Sequence, residues 1–141
     1  EVIGKVVRLK TQFPNAIYYY VRQLIADKAL PDVLICSNDT WARQTFSACL
    51  ENGLSIPDDV AITGYDNDDF GEFAPYYLTT VDDLRKDQCE LAIQILVDMI
   101  NGKNVPVAQH VLPVRPIIRR SCGSTATPLP TERAGQFYIK Q

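Results

Sequence analysis

The sequence predicts an α/β fold: an open, mostly parallel sheet with flanking helices. Two short runs, Val33-Leu34-Ile35-Cys36 and Val60-Ala61-Ile62-Thr63, are apolar without alternation, the pattern of strands buried on both faces of a parallel sheet. Around them lie segments whose apolar residues recur at helical spacing. The resulting order of strand, helix, strand, helix, strand is the grammar of a sheet wound by right-handed crossovers.

The elements follow in order. Glu1 to Leu9 is rich in β-branched residues (Val2, Ile3, Val6, Val7) and reads as a strand or extended arm. Asn15 is a candidate cap for a helix that carries Ile17, Val21, Leu24 and Ile25 on one stripe. Pro31-Asp32 punctuates before the first apolar run. Ser37, Asn38 and Asp39 then start a second helix, which turns Ala42, Thr45, Phe46, Cys49 and Leu50 inward and stops at Gly53. Pro57-Asp58-Asp59 makes a turn into the second run, which ends in Gly64-Tyr65-Asp66. An irregular acidic and aromatic stretch spans Asn67 to Tyr77, and Leu78-Thr79-Thr80-Val81 is a short strand. Leu84 to Asn101 has the strongest helical pattern, with Leu84, Leu91, Ala92, Ile95, Leu96, Met99 and Ile100 on one face and Gly102 at its end. Burying that face would contribute roughly 10 kcal/mol as an upper figure, so something is expected to cover it. Val111 to Ile118 returns as β structure, confined by Pro113 and Pro116 to an edge or a crossover. The Ser-, Thr- and Pro-rich stretch from Ser121 is expected to be loosely ordered.

Composition narrows the function classes. A chain of 141 residues holds one modest domain. No apolar stretch approaches the roughly 18 to 20 residues of a membrane span. The net charge is −3, and Lys and Arg form no stripe, so this chain is not expected to grip a nucleic acid duplex by itself. Cys36, Cys49, Cys89 and Cys122 are too far apart for zinc or redox pairs and read as reduced structural thiols, which favours the cytoplasm. The chain begins at Glu1 rather than Met, so a preceding segment is expected.

In such a sheet, ligands bind beyond the carboxyl ends of the strands. Asn38 and Asp66 lie there, just past the two apolar runs. An amide donates and accepts, and a carboxylate accepts two hydroxyl hydrogens, a pairing suited to a neutral polyhydroxylated ligand. Competing roles stay open: Asn38 or Asp39 as a helix cap, and Asp66 as a turn residue. Asp66, Asp68 and Asp69 raise a cation or phospho-acceptor site, but the acidic pair and lysine of a receiver-type domain are missing, as is any Gly-rich phosphate loop. His110, the one histidine, has no Ser, Cys or Asp partner nearby in sequence, so catalysis is not expected, nor is a cofactor or metal. Trp41 and Tyr18-Tyr19-Tyr20 could stack on sugar faces, but at helical positions such aromatics more often serve packing or a subunit interface.

From Pro31 onward the chain resembles the lactose-repressor and galactose-repressor family. The matching pieces are Asp32-Val33-Leu34-Ile35-Cys36-Ser37-Asn38-Asp39, then Gly53 to Asp66, then Leu78-Thr79-Thr80-Val81, the long helix, Leu112-Pro113-Val114 and Ile118-Arg119-Arg120-Ser121. The resemblance implies part of a type I periplasmic-binding-protein-like fold: an incomplete fragment of a sensor of two α/β lobes with effector between them. Residues 1–121 would be the partial effector-binding and dimerisation domain, with 82–108 as a return segment of the first lobe and 122–141 as a C-terminal tail. The DNA-binding head would lie outside this chain. Asn38 and Asp66 are the family's effector-bonding positions, with Phe13 (Gln12 competing) and Arg85 as further ligand contacts. Dimer contacts are implied at Trp41, Arg43, Gln44, Phe46, Phe73, Tyr76 and Tyr77. Tyr76-Tyr77 stands where many relatives have Pro-Pro, so that turn is expected to differ. The partners implied are a sugar-like effector, a second copy of the chain and, through the head, DNA. Because helix 84–101 would belong partly to the first lobe, its apolar face is expected to be covered by a partner chain or a rearranged packing such as a swapped dimer. Rival outputs for the same fold are another signalling module or a secreted transport-binding protein.

Overall fold

The two apolar runs become neighbouring strands. The computed structural model describes residues 4–7, 13–106 and 109–125, and the backbone of 138–140. Strands β1 (Val33–Ile35) and β2 (Ala61–Thr63) pair in parallel, Leu34 opposite Ile62. They follow α1 (Ala16–Ala26) and are joined by α2 (Asp39–Glu51). Asn38 caps α2 through its side chain, and Gly53, just past the end, takes the left-handed φ of +75° that a glycine allows. Asn15 precedes α1 at φ 63° and makes no side-chain cap bond, so the cap expected there is absent.

The parallel relation continues past β2. Thr63 bridges Thr79 in parallel, and β3 (Thr80–Asp82) then pairs antiparallel with β5 (Arg115–Ile117), Val81 opposite Pro116. Proline lacks the amide needed by an interior strand, and among the described residues β5 pairs with β3 alone. Between β3 and β5 lie α3 (Arg85–Ile100) and β4 (Gln109–Val111), and β4 pairs antiparallel with β6 (Tyr138–Lys140). The molecule is therefore a mixed α/β fold whose parallel part carries helices.

The core sits where α1 and α2 pack on the sheet. Val21, Ala42, Phe46, Ala48, Cys49, Val60, Ile62 and Leu78 are buried together, with Ile17, Ile25, Leu30 and Leu34 packed against them. Phe46, expected at a dimer surface, is 1% exposed and belongs to this core. It falls on the inward stripe of α2, and its ring meets Tyr76 edge-on at 5.3 Å, which in turn meets Phe70 at 5.1 Å.

Two other expectations are corrected, for β1 and for Ser121. β1 is not buried on both faces: Leu34 points to the core, while Val33 is 49% and Ile35 83% exposed. Alternate residues of a strand face opposite ways, and α1 and α2 cover one side only among the described residues. Helix α3 buries none of its sixteen residues. Leu84, just before it, is buried and Leu91 and Ile95 are half-buried, but Ile93, Leu96, Met99 and Ile100 are exposed. Finally, Ser121 is not loose. Its hydroxyl donates to the Ile62 carbonyl (2.6 Å) and accepts the Thr79 amide (2.8 Å) inside the sheet. Of the expected N-terminal strand, residues 4–7 are exposed and form no regular element, and the rest of it lies outside the described residues, as does most of the tail.

Candidate ligand site

The carboxyl ends of β1 and β2 share one rim. The Cys36 amide donates to the Thr63 carbonyl (2.8 Å), and the Asp39 amide to the Tyr65 carbonyl (2.8 Å), so the two loops run side by side beyond the strands. On the first loop, Asn38 Oδ1 accepts the Trp41 amide at 2.8 Å. The amide oxygen is thus committed to capping, while Nδ2 has no partner among the described residues. On the second loop, Asp66 and Asn67 take left-handed backbone angles, φ 111° and 52°. That turn is fixed by the Asp66 amide donating to the Val81 carbonyl (2.9 Å) and the Asp68 amide donating to Asp39 Oδ2 (2.8 Å).

A hollow of about 740 Å³ opens between this loop and the start of α3, lined by residues 66–70, 82–87 and Arg115. Arg85 in its wall lies 3.2 Å from Asp66 and 3.5 Å from Asp83. Arg115 holds Asp82 at 2.8 Å, and its Nε is buried without a partner. Burial pushes the Asp66 carboxyl up from its ordinary range, and the Arg85 guanidinium pulls it part of the way back. Asp83 first, then Asp66, raises Arg85 in turn. The wall therefore offers carboxylate acceptors for hydroxyl groups beside guanidinium donors, with carboxylates in excess.

Of the residues implied as ligand contacts, the structure brings Asp66 and Arg85 together. Asn38 stands on the adjoining loop but not in the wall of the hollow, and Phe13 is 71% exposed and also outside it. Gln12 lies outside the described residues. Asn67, Asp82 and Arg115 line the hollow without having been singled out. Asp39, expected at most as a helix cap, is buried beneath the loop that carries Asp66 and Asp68. Its position signals this, since Asp39 falls in register with Ala42, Thr45, Phe46 and Cys49 on the inward stripe of α2.

The other candidates separate cleanly. Arg43 is exposed and stacks over Phe70 at 5.5 Å, Gln44 accepts the Tyr18 amide at 3.4 Å, and Trp41 is half-buried. Phe73 and Tyr77 are exposed, whereas Tyr76 is packed between Phe46 and Phe70. Burial pushes the Cys49 thiol up to about 11, so it stays protonated near neutrality. No metal-binding group of His, Cys, Asp or Glu occurs among the described residues. No helix among them is long and apolar enough to cross a membrane.

Comparison with known proteins adds relatives to this geometry. A profile of the periplasmic binding protein-like domain matches residues 5–122. The chain is similar to the HTH-type transcriptional repressor MelR of Bacillus subtilis (strain 168), 34% identical over 110 residues, covering 77% of this chain and 31% of that protein. It is also similar to the HTH-type transcriptional repressor PurR of Haemophilus influenzae (strain Rd), 34% identical over 114 residues, covering 79% and 34%. The chain thus spans about a third of the length of the curated relatives it matches. Among solved structures, a LacI-family regulatory protein from Corynebacterium glutamicum superposes with a TM-score of 0.67 at 29% identity, over 77% of this chain and 42% of that one. A LacI-family regulator from Arthrobacter sp. FB24 in complex with lactose shares the fold, with a TM-score of 0.66 at 24% identity over 77% and 41%.

Proposed function

The chain belongs to the LacI/GalR family of periplasmic-binding-protein-like effector domains, and from that premise we propose that it senses a small sugar-like ligand and passes the binding event to a DNA-reading segment of a longer transcription regulator. The observation that carries the proposal is the meeting of Asp66 and Arg85 in the wall of an acid-rich hollow, at the carboxyl rim of the parallel strands. A carboxylate there accepts two sugar hydroxyls, and the free Nδ2 of Asn38 on the next loop supplies a donor. The excess of carboxylates favours a neutral ligand over an anionic one. Nothing in this chemistry calls for a nucleophile, and the domain is a binding module that works without a cofactor, inside the cytoplasm where its DNA target lies.

Control of DNA binding follows from differential affinity. A ligand that prefers one arrangement of the lobes shifts the population toward it, and in a dimer that shift alters the spacing of the two DNA heads. Arg43, Phe73 and Tyr77 are the exposed members of the expected dimer surface, with Trp41 and Gln44 beside them. The open face of α3 would be covered in the intact assembly.

The test is a thermal-shift screen of the full-length protein with neutral mono- and disaccharides, lactose among them, against sugar phosphates and nucleobases, followed by calorimetry. At least one neutral sugar is expected to stabilise the protein. Asp66→Ala is expected to weaken that binding by about 1.5 to 3 kcal/mol while the protein remains folded. An unchanged affinity would remove Asp66 from the site.

A further inference from the structure

Asp39 does not line the hollow, yet its side chain is 0% exposed and joins three parts of the molecule. It sits in the first turn of α2, accepts the Thr80 hydroxyl of β3 on Oδ1 at 2.7 Å, and accepts the Asp68 amide of the ligand loop on Oδ2 at 2.8 Å. We propose that Asp39 is a positioning residue: its carboxylate holds the turn through Asp66 and Asn67 in the conformation from which Asp66 faces Arg85. The inference rests on the ligand-site proposal above, and names the residue on which that site's geometry depends.

Two features of the turn support it. Asp66 and Asn67 are consecutive non-glycine residues at positive φ, an arrangement that persists only where the surroundings over-determine it. The described turn is held by the Asp66 amide to the Val81 carbonyl, the Asn67 amide to the Thr80 hydroxyl at 3.4 Å, the Asn67 side chain to Arg119 at 2.9 Å, the Asp68 amide to Asp39, the Gly71 amide to the Asp68 carbonyl at 3.0 Å and the Arg85 guanidinium to the Asp66 carbonyl at 3.4 Å. Asp39 serves two of these, one directly and one by orienting the Thr80 hydroxyl. Independently, Gly64 leaves room for the carboxylate. A Cβ at position 64 would lie 2.1 Å from Asp39 Oδ1 and 3.2 Å from its Cγ, a clash that a short, doubly bonded side chain cannot evade.

The chemistry at position 39 fits a geometric role more than a charge role. Burial pushes the Asp39 carboxyl up from its ordinary value, and the hydrogen bonds from Thr80 and Asp68 draw it part of the way back. An amide of the same shape would accept the Asp68 N–H through its oxygen and donate its own N–H to the Thr80 oxygen. Asp39→Asn should therefore preserve the turn, whereas Asp39→Ala removes both bonds.

The experiment is amide hydrogen exchange, read by mass spectrometry over residues 64–68 in the full-length protein, with lactose titration of the same variants. Exchange in Asp39→Ala is expected to be about tenfold faster in that segment, with Asp39→Asn within about threefold of the parent. Thr80→Val, which keeps shape and removes the hydroxyl, is expected to fall between them and serves if Asp39→Ala does not fold. Phe46→Leu, which weakens the core elsewhere, is the control for general destabilisation and should leave the segment's exchange unchanged. Equal protection in Asp39→Ala and the parent would overturn the proposal, as would equal loosening in the Phe46→Leu control. If the parent takes up no lactose while the exchange pattern appears as expected, the positioning role stands and the lactose-type ligand does not.

Discussion

Helices α2 and α3 have 13 and 16 residues and similar sequence credentials, but α2 buries six of its residues and α3 buries none. Both carry apolar residues on one stripe. The difference lies in what faces them. α2 crosses between two paired strands, so the crossover places its stripe on the sheet and against α1. α3 leaves β3 and returns to β4, and among the described residues no layer closes over Leu96, Met99 or Ile100. A hydrophobic stripe states which face of a helix seeks cover; the neighbouring elements decide whether it receives any.

The contrast can be broken by substitution. Phe46→Ala empties the centre of the α2 packing and is expected to lower the unfolding free energy by about 3 to 5 kcal/mol in a denaturant titration. A loss below about 1 kcal/mol would mean that α2 is not held as described. On α3, Leu96→Ala and Met99→Ala should each change the stability of the 141-residue chain by no more than about 0.5 kcal/mol, since both side chains already face water. The same pair measured in the full-length protein sharpens the point. Costs of about 2 to 4 kcal/mol there would show that another part of the assembly covers α3.

A pH series probes the one charge on the buried side of α2. The folded carboxyl of Asp39 lies above its ordinary 3.8, mainly through burial, so the folded state holds that proton more tightly than the unfolded chain. The stability this confers is complete below pH 3.8 and is lost as pH rises through the raised folded value. Asp39→Asn lacks this dependence. Subtracting its stability curve from the parent's should therefore give a difference that moves against the parent across that window and is flat above it. A difference that moved in the parent's favour would show that the hydrogen bonds from Thr80 and Asp68 outweigh burial.

The sheet and the crossover could be read from residue order, because unbroken apolar runs separated by a capped amphipathic segment permit few arrangements. Asn38 and Gly53 marked the ends of α2 for the same local reason. Exposure was harder to read. Val33 and Ile35 are as apolar as Leu34, and the sequence does not say which of them a layer will cover. At the site, the rim position of Asp66 followed from topology, while its pairing with Arg85 required knowing how the chain turns after β3. Asn38 illustrates a genuine ambiguity of chemistry, since one end of its amide caps a helix while the other remains free. Phe46, which the family resemblance assigns to a dimer surface, belongs to the interior, as its spacing from Ala42 and Cys49 on the inward stripe indicates.

Ser121 ties the far end of the sheet by giving its proton to Ile62 and taking one from Thr79. Chains trimmed ahead of that serine would strand an amide and a carbonyl in a dry interior with neither water nor partner. Shortening experiments should therefore keep residue 121, where one hydroxyl serves both groups.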